Sequence, residues 1–164
     1  MFNKFIVSIL AFLLMLFPNW GGLQFSYQSL SFDMDHNAAV LVDAIESGEI
    51  TTLEAMMCRN IKENVADLPS EIGRLIAIVD GEIIEFHCQR LGSYEETRNG
   101  KHILQNVIAI DVATFYGNYY IGIMWEVANN FDQREIGIRN IGIIVDHEVI
   151  ARISATERIG DWHG

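Results

Sequence analysis

Basic residues are scarce in this chain of 164 residues, which has 11 lysines and arginines against 22 aspartates and glutamates. Residues 1–24 contain Lys4 and no acidic residue, so the remaining chain has 10 basic and 22 acidic residues, a net charge of −12. This balance argues against a nucleic-acid partner, because phosphate binding requires a basic face. An anionic membrane surface would also repel the domain, and the charge is typical of a soluble protein.

Sequence signatures of catalysis and of metal binding are also missing. There is no G-x-S-x-G nucleophile motif and no glycine-rich phosphate loop. The five histidines show no metal-ligand spacing. His87 and Cys88 are neighbours on a predicted strand, so they point to opposite faces and cannot bind one ion together. The sequence therefore predicts no catalytic residue, no metal site and no cofactor.

Cysteine is also scarce, and Cys58 and Cys88 are the two in the chain. An even number outside the cytoplasm permits a disulfide. Closing a loop of about 30 residues would stabilise the fold by about 3 kcal/mol in the chain-entropy model. The alternative is two separate buried thiols that pack as small apolar residues, and we favour it because buried free cysteine is common.

Long hydrophobic runs are limited to one, Phe5–Phe17, which follows Lys4 and ends before Pro18. Its length corresponds to about 20 Å of helix, shorter than a hydrocarbon core of about 30 Å. Residues 1–22 are therefore predicted to be a signal peptide or an N-terminal membrane anchor. Both remain open, since the segment lacks an A-x-A-like cleavage site and a lipid-accepting cysteine. We expect an extracytoplasmic protein, secreted or tethered, that contacts membrane only through residues 1–22. Residues 23–32 are a predicted linker.

Apolar residues at helical spacing predict three amphipathic helices in the first half of the domain. The first covers Met34–Glu46, with Asp33 or Asp35 as its cap and Gly48 as its stop. The second begins at Thr51 or Thr52 and carries its apolar stripe as far as Ile61. The third begins at Asp67, with Pro69 in its first turn. We expect all three stripes to face the core.

Four antiparallel strands are predicted after the helices. The first is Glu82–Leu91, and a polar connection at Gly92–Gly100 leads to the second, Lys101–Phe115. A two-residue turn at Gly117-Asn118 would join the second strand to the third and place Val112 opposite Ile123. A polar loop, Asn129–Glu135, precedes the fourth strand, which ends at Val145. The predicted inner face consists of Ile108, Ile110, Val112, Ile121, Ile123, Trp125, Ile141, Ile143 and Val145.

These elements predict an α+β fold in which three N-terminal helices pack on one face of a curved four-stranded antiparallel sheet. Long strands usually coil, so a cone-shaped half-barrel around the helices is expected. The domain covers residues 33–146, and residues 147–164 are predicted to be a polar C-terminal tail.

Several segments of the domain resemble domain of unknown function 5104, a family of small exported bacterial proteins that are often lipoproteins. They are DHNAAVLVDAIESGE at 35–49, TTLEAMMCRNI at 51–61, LPSEIGRLIAIVDGEI at 68–83, VATFYGNYYIGI at 112–123 and EIGIRNIGII at 135–144. The resemblance implies a cystatin-like or nuclear transport factor 2-like fold, in which a long helix crosses a curved sheet. It implies no activity. The lipoprotein cysteine of the family is absent here, which leaves the hydrophobic segment as the only tether.

Two groups of residues are candidate binding sites. Arg90, His102 and Asn106 are predicted to lie on the inner face at the open end of the sheet, where such a fold places ligands. The alternative is a solvated sheet end. An apolar patch is predicted on the outer face, and its residues are Tyr120, Met124, Ile138 and Ile144.

We favour a non-enzymatic module that binds an unknown small molecule or protein. One alternative is a homodimeric or assembly domain that uses the outer face of the sheet. The other is a hydrolase or isomerase, which rests on analogy with enzymes of related folds alone.

Overall fold

The computed structural model describes residues 33–155, apart from the side chain of Arg98. The predicted signal peptide or anchor, the linker and the last part of the predicted tail lie outside these residues. Within the described range, no helix is long and apolar enough to span a membrane. Four helices precede an open antiparallel sheet of five strands, so the predicted α+β class is confirmed.

The first predicted helix is confirmed as α1, Met34–Ser47. Its cap is Asp33, whose side chain accepts a hydrogen bond from the backbone N–H of His36 at 3.0 Å. Gly48 ends the helix in the left-handed conformation, with a φ of 73°. The buried side of α1 is apolar and includes Leu41 and Ile45, as the helical spacing predicts.

The second predicted helix is divided in two, so the prediction of three helices is wrong. Helix α2 is Ile50–Met56 and helix α3 is Arg59–Asn64. Between them Met57 and Cys58 are extended, and Met57 forms a parallel bridge with Ile138. The N–H of Cys58 donates to the carbonyl of Ile138 at 3.0 Å. Pairing with a free strand edge therefore outweighs the helical preference of the segment.

The third predicted helix is present as α4, Leu68–Ile76, with Pro69 in its first turn. Asp67 precedes it in the left-handed conformation, and its side chain makes no capping hydrogen bond. Its backbone carbonyl accepts from the N–H groups of Ser70 and Glu71 instead. The helix buries Leu68, Ile72 and Leu75, which agrees with the predicted apolar stripe.

The sheet has the strand order β1-β2-β3-β4-β5, and the prediction of four strands is wrong. The strands are β1 Ile83–Arg98, β2 Lys101–Thr114, β3 Asn118–Asn129, β4 Gly137–Val145 and β5 Glu148–Ser154. Strand β5 occupies residues assigned to a polar tail, and β1 extends through the predicted polar connection.

Two-residue turns explain both additions to the sheet. Asn99 and Gly100 have φ values of 52° and 73°, and they join β1 to β2. Asp146 and His147 have φ values of 49° and 68°, and they join β4 to β5. Two consecutive left-handed residues are the geometry of a type I′ hairpin turn.

The predicted turn at Gly117-Asn118 is wrong, because the loop between β2 and β3 is residues 115–117. Thr114 closes it with its backbone N–H, which donates to the carbonyl of Gly117 at 2.9 Å. Val112 consequently pairs with Tyr119 instead of Ile123. The shift is an even number of residues, so the same side chains still face inward.

The inner face is filled as predicted, apart from one correction. Every predicted inner residue is buried except Val145, which is partly buried against the same core. Leu41, Ile72 and other helix residues belong to this core cluster, so the helices cover the inner face. Ile138, predicted to face outward, is fully buried on the inner face. In β4 Asn140 pairs with Met124 and Ile138 pairs with Trp125, so Arg139 between them is an extra residue that forms a β-bulge. The bulge exchanges the inward-facing and outward-facing positions of β4, which turns Ile138 inward.

Candidate functional site

The inner face is polar at one end, where β1 finishes and β2 begins. In antiparallel strands directly opposed residues share a face. Thr97 pairs with His102, and Ser93 pairs with Asn106, which pairs on its other side with Trp125. We call this region the polar end. The polar end lies on the inner face of the sheet, which isoleucines of β2 and β3 cover further along these strands.

Two side chains of the polar end are buried without complete hydrogen bonding. His102 is 7% exposed and Asn106 is 3% exposed. Neither the Nε2 atom of His102 nor the Oδ1 atom of Asn106 has a hydrogen-bond partner in the described part of the chain. An unpaired buried polar group costs about 1–3 kcal/mol, so such groups are uncommon and call for an explanation.

The contacts of Nδ1, the other ring nitrogen of His102, determine whether Nε2 donates or accepts a hydrogen bond. Nδ1 lies 3.3 Å from the hydroxyl of Thr97 and 3.4 Å from a carboxylate oxygen of Glu95. A carboxylate can only accept, so of the two neutral tautomers it favours the one that carries its proton on Nδ1. In that tautomer Nε2 presents a lone pair, and the polar end then offers two buried acceptors, one from His102 and one from Asn106.

Arg90 stands on the exposed edge of the same face. It pairs with Ile108, in the row next to Ser93 and Asn106, and its side chain is exposed. Among the arginine and lysine side chains that the structure describes, Arg90 alone has no hydrogen-bond, ion-pair or ring partner. The three residues predicted for a pocket thus share one face of β1 and β2.

A buried carboxylate stands behind the polar end, on the outer face of the sheet. Glu126 is fully buried and follows Trp125 on β3. It accepts from the side chains of Gln105 at 3.0 Å, of Arg139 at 2.6 Å and of Asn129. Burial opposes the charge of Arg139, but the hydrogen bond and the negative charge of Glu126 outweigh it and raise the pKa of the guanidinium. This cluster holds β2, β3 and β4 together where the polar end is built.

Glu126 is a buried residue that was not predicted from the sequence. The available signal is a single acidic residue inside the apolar run MWEVA at 124–128. Such a residue, in a strand whose neighbours are buried, requires hydrogen-bond donors around it.

The connection between β3 and β4 is tied to both the sheet and α3. The side-chain oxygen of Asn129 accepts from the N–H groups of Phe131 and Asp132 at 2.8 and 2.9 Å. The N–H of Asn130 donates to the carbonyl of His102 at 2.9 Å. Arg59 of α3 contacts Asp132 at 2.8 Å and Glu135 at 3.0 Å. The backbone that carries His102 is therefore supported from this loop.

Asp132 accepts two hydrogen bonds from the side chain of Arg134 and one from its backbone N–H. These bonds, with the charges of Arg134 and Arg59, lower the pKa of Asp132 to about 2. Asp132 therefore stays ionised and keeps its ion pairs through the whole neutral range of pH.

Residues 40–147 match the family described as Domain of unknown function (DUF5104). The chain belongs to this family. The family resemblance predicted from the five segments is thus confirmed. The DUF5104 match runs from within α1 to the turn before β5, and it includes the polar end and the Glu126 cluster. No curated protein matches the chain.

Both cysteines of this DUF5104 protein are free thiols. Cys58 is fully buried at the start of α3, and Cys88 is partly buried on β1. Burial raises the pKa of both thiols, and the charge of Asp35 adds to the effect on Cys88. In the structure the two cysteines are therefore separate thiols.

The outer face of the DUF5104 sheet carries three of the four residues predicted for an interface. Tyr120 pairs directly with Ile144, Met124 lies further along β3, and all three are partly exposed. The fourth, Ile138, is buried in the core. Burial and the negative charge of Asp111 raise the pKa of Tyr120.

No group of three metal-binding side chains occurs among residues 33–155.

Proposed function

We propose that this protein is a non-enzymatic ligand-binding module and that the polar end is its site. The observation that carries the proposal is the pair of unpartnered buried polar atoms, Nε2 of His102 and Oδ1 of Asn106. A ligand that donates to these atoms would remove a penalty of about 1–3 kcal/mol for each of them. Such groups are uncommon in folded proteins and call for an explanation, which a bound ligand would provide.

The supporting residues favour a preformed site. Gln105 lies between Leu104 and Asn106 on β2, and its side chain donates to the buried Glu126. The carbonyl of His102 accepts from Asn130. Both contacts hold the backbone of the polar end in place without using Nε2 of His102 or Oδ1 of Asn106. A site that is ordered before binding loses less entropy when its ligand arrives.

The cystatin-like arrangement implied by the family resemblance is part of this proposal. Its support is the segregation of the helices to one face and the series of register shifts in β1, β3, β4 and β5. Bulges bend strands and increase their twist, which favours a curved sheet. An experimental structure of the chain with a flat sheet would contradict this part.

The hydrolase or isomerase alternative gains nothing from Asp111, the acidic residue that is paired with a histidine between β1 and β2. Asp111 pairs with His87 on one side and with Tyr120 on the other, and its side chain is exposed on the outer face. These residues lie on the face opposite the polar end. The alternative therefore still rests on fold analogy, which is a weak argument for activity.

Thermal unfolding tests the ligand-binding proposal. We expect at least one class among sugars, short peptides, cell-wall fragments and lipids, each at millimolar concentration, to raise the unfolding midpoint of the full chain. A ligand at 100 times its dissociation constant stabilises the folded state by about 2.7 kcal/mol. Asn106→Leu should remove the effect because it removes an acceptor. Asn118→Leu, an exposed position at the other end of β3, should retain it. A midpoint unmoved by every class would contradict the proposal.

A second candidate function is self-association through the outer face. The specific observation is the partly exposed patch of Tyr120, Met124 and Ile144, in which two residues are direct cross-strand partners. Light scattering should then give the mass of a dimer for the wild type and of a monomer for Met124→Asp, because a buried unpaired carboxylate opposes association. A monomeric wild type at high concentration would exclude this candidate.

A further inference from the structure

We propose that the ligand is a small molecule carrying one carboxylate together with N–H or O–H donors. This inference rests on the proposed function and adds the chemical class of the ligand. It combines three observations: two buried acceptors, their separation along β2, and an unpaired arginine on the edge of the same face.

The acceptors define the donor part of the ligand. Nε2 of His102 and Oδ1 of Asn106 are buried without a partner, and with the His102 proton on Nδ1 both atoms accept a hydrogen bond. The two residues are four positions apart on β2, which corresponds to about 13 Å at roughly 3.3 Å per residue. A ligand that satisfies both is therefore elongated and carries donors along its length. Amide N–H groups and sugar hydroxyls meet this requirement equally well.

Arg90 determines the anionic part of the ligand. It lies on the edge strand β1 and pairs with Ile108, two positions from Asn106 on β2. No described residue forms an ion pair with its guanidinium. A guanidinium binds a carboxylate through two parallel hydrogen bonds, which also orients the ligand. A phosphate would meet stronger repulsion from the rest of the chain, whose net charge is −11. A single negative charge therefore suits this site better.

The experiment compares two matched pairs of probes on the full chain. One pair is N-acetyl-glycylglycine and its methyl ester, and the other is glucuronate and its methyl ester. Each pair keeps the same N–H or O–H donors and removes only the charge of the carboxylate. Binding is measured by nuclear magnetic resonance titration, with the side-chain amide signal of Asn106 as the reporter. The proteins are the wild type, Arg90→Gln and Arg74→Gln, which is the matched control because Arg74 is an exposed arginine on α4.

We expect the carboxylate of at least one pair to bind up to about fivefold more tightly than its neutral partner, as for one exposed ion pair. Arg90→Gln should abolish this preference and Arg74→Gln should retain it. Preference within the peptide pair or within the sugar pair would distinguish a peptide source from an acidic sugar source.

The remaining outcomes count against the inference. Equal binding of the two members of each pair, or a preference that survives Arg90→Gln, would overturn the inference and leave the proposed function standing. The same holds if neither pair binds while another compound class shifts the Asn106 signal. If no compound of any class shifts that signal, both the inference and the proposed function fail.

Discussion

Gly137→Ala should reduce the free energy of unfolding by about 3 kcal/mol or more, through strain and overpacking together. Gly137 has a φ of 136°, a conformation that residues with a Cβ rarely adopt. A Cβ at this position would also lie 2.7 Å from the carbonyl oxygen of Met56 and 2.9 Å from the backbone nitrogen of Cys58. These are backbone atoms of the segment that pairs with β4, so they cannot rotate away as a side chain would.

Chemical denaturation of the two proteins measures this effect. The control is Gly122→Ala in β3, where an added Cβ would meet nothing within 4 Å. We expect it to change stability by at most about 0.5 kcal/mol. Equal losses for the two variants would show that the close approach between β4 and the Met57-Cys58 segment does not contribute to stability.

Glu126→Gln should reduce the free energy of unfolding by about 3 kcal/mol, the lower end of the range for breaking a buried ion pair. We expect the loss of stability to lie at the lower end of this range because Arg139 is partly exposed to water. The substitution is close to isosteric, but it replaces an acceptor oxygen by an amide that must donate. That amide would face either the donating amide of Asn129 or, in the other orientation, the donors of Gln105 and Arg139. In both orientations Arg139 would lose its charged partner.

The matched control is Glu71→Gln. Glu71 also forms an ion pair, with Arg74 at 2.9 Å, but both side chains are exposed. An exposed pair contributes at most about 1 kcal/mol and often less. If both variants lost the same small amount in urea denaturation, the burial of Glu126 would not have the role that we assign to it.

Local patterns were sufficient to predict much of this fold. The spacing of Leu41 and Ile45 predicted α1, and its cap and stop residues lie next to it in the sequence. The alternation of Ile108, Ile110 and Val112 predicted the inner face even though the register was wrong. Strand alternation has a period of two, so an even shift changes the partners of these residues and leaves their face unchanged.

Features that depend on contacts far along the chain could not be predicted in the same way. The reversal of Ile138 needs the bulge at Arg139, and the division of the second helix needs the free edge of β4. Neither feature can be detected in the local pattern of apolar and polar residues. The turn at Asn99-Gly100 did carry a known sequence signal, whereas Asp146-His147 lacks the glycine that usually identifies such a turn.

The candidate site was predictable in part for the same reason. His102 and Asn106 occupy inner-face positions of β2, so their polarity is visible in the alternation itself. Glu126 occupies an outer position, where an acidic residue is ordinary. Its burial depends on Asn129 and Arg139, which the bulges and the loop after β3 bring to it.

Our central claim is that the unpartnered polar groups of the polar end serve a ligand and do not stabilise the fold. The most direct measurement compares the free energies of unfolding of Asn106→Leu and Asn129→Leu without ligand. The two asparagines are buried alike, at 3% and 4% exposure. Asn129 bonds to Glu126, Phe131 and Asp132, whereas Oδ1 of Asn106 has no partner among the described residues.

We predict that Asn129→Leu reduces the free energy of unfolding by about 2 kcal/mol or more, because it leaves several buried groups unpaired. Asn106→Leu should leave stability unchanged or raise it by up to about 1 kcal/mol, since leucine has a similar volume and no polar atom to desolvate. A loss of stability in Asn106→Leu as large as that in Asn129→Leu would contradict the claim.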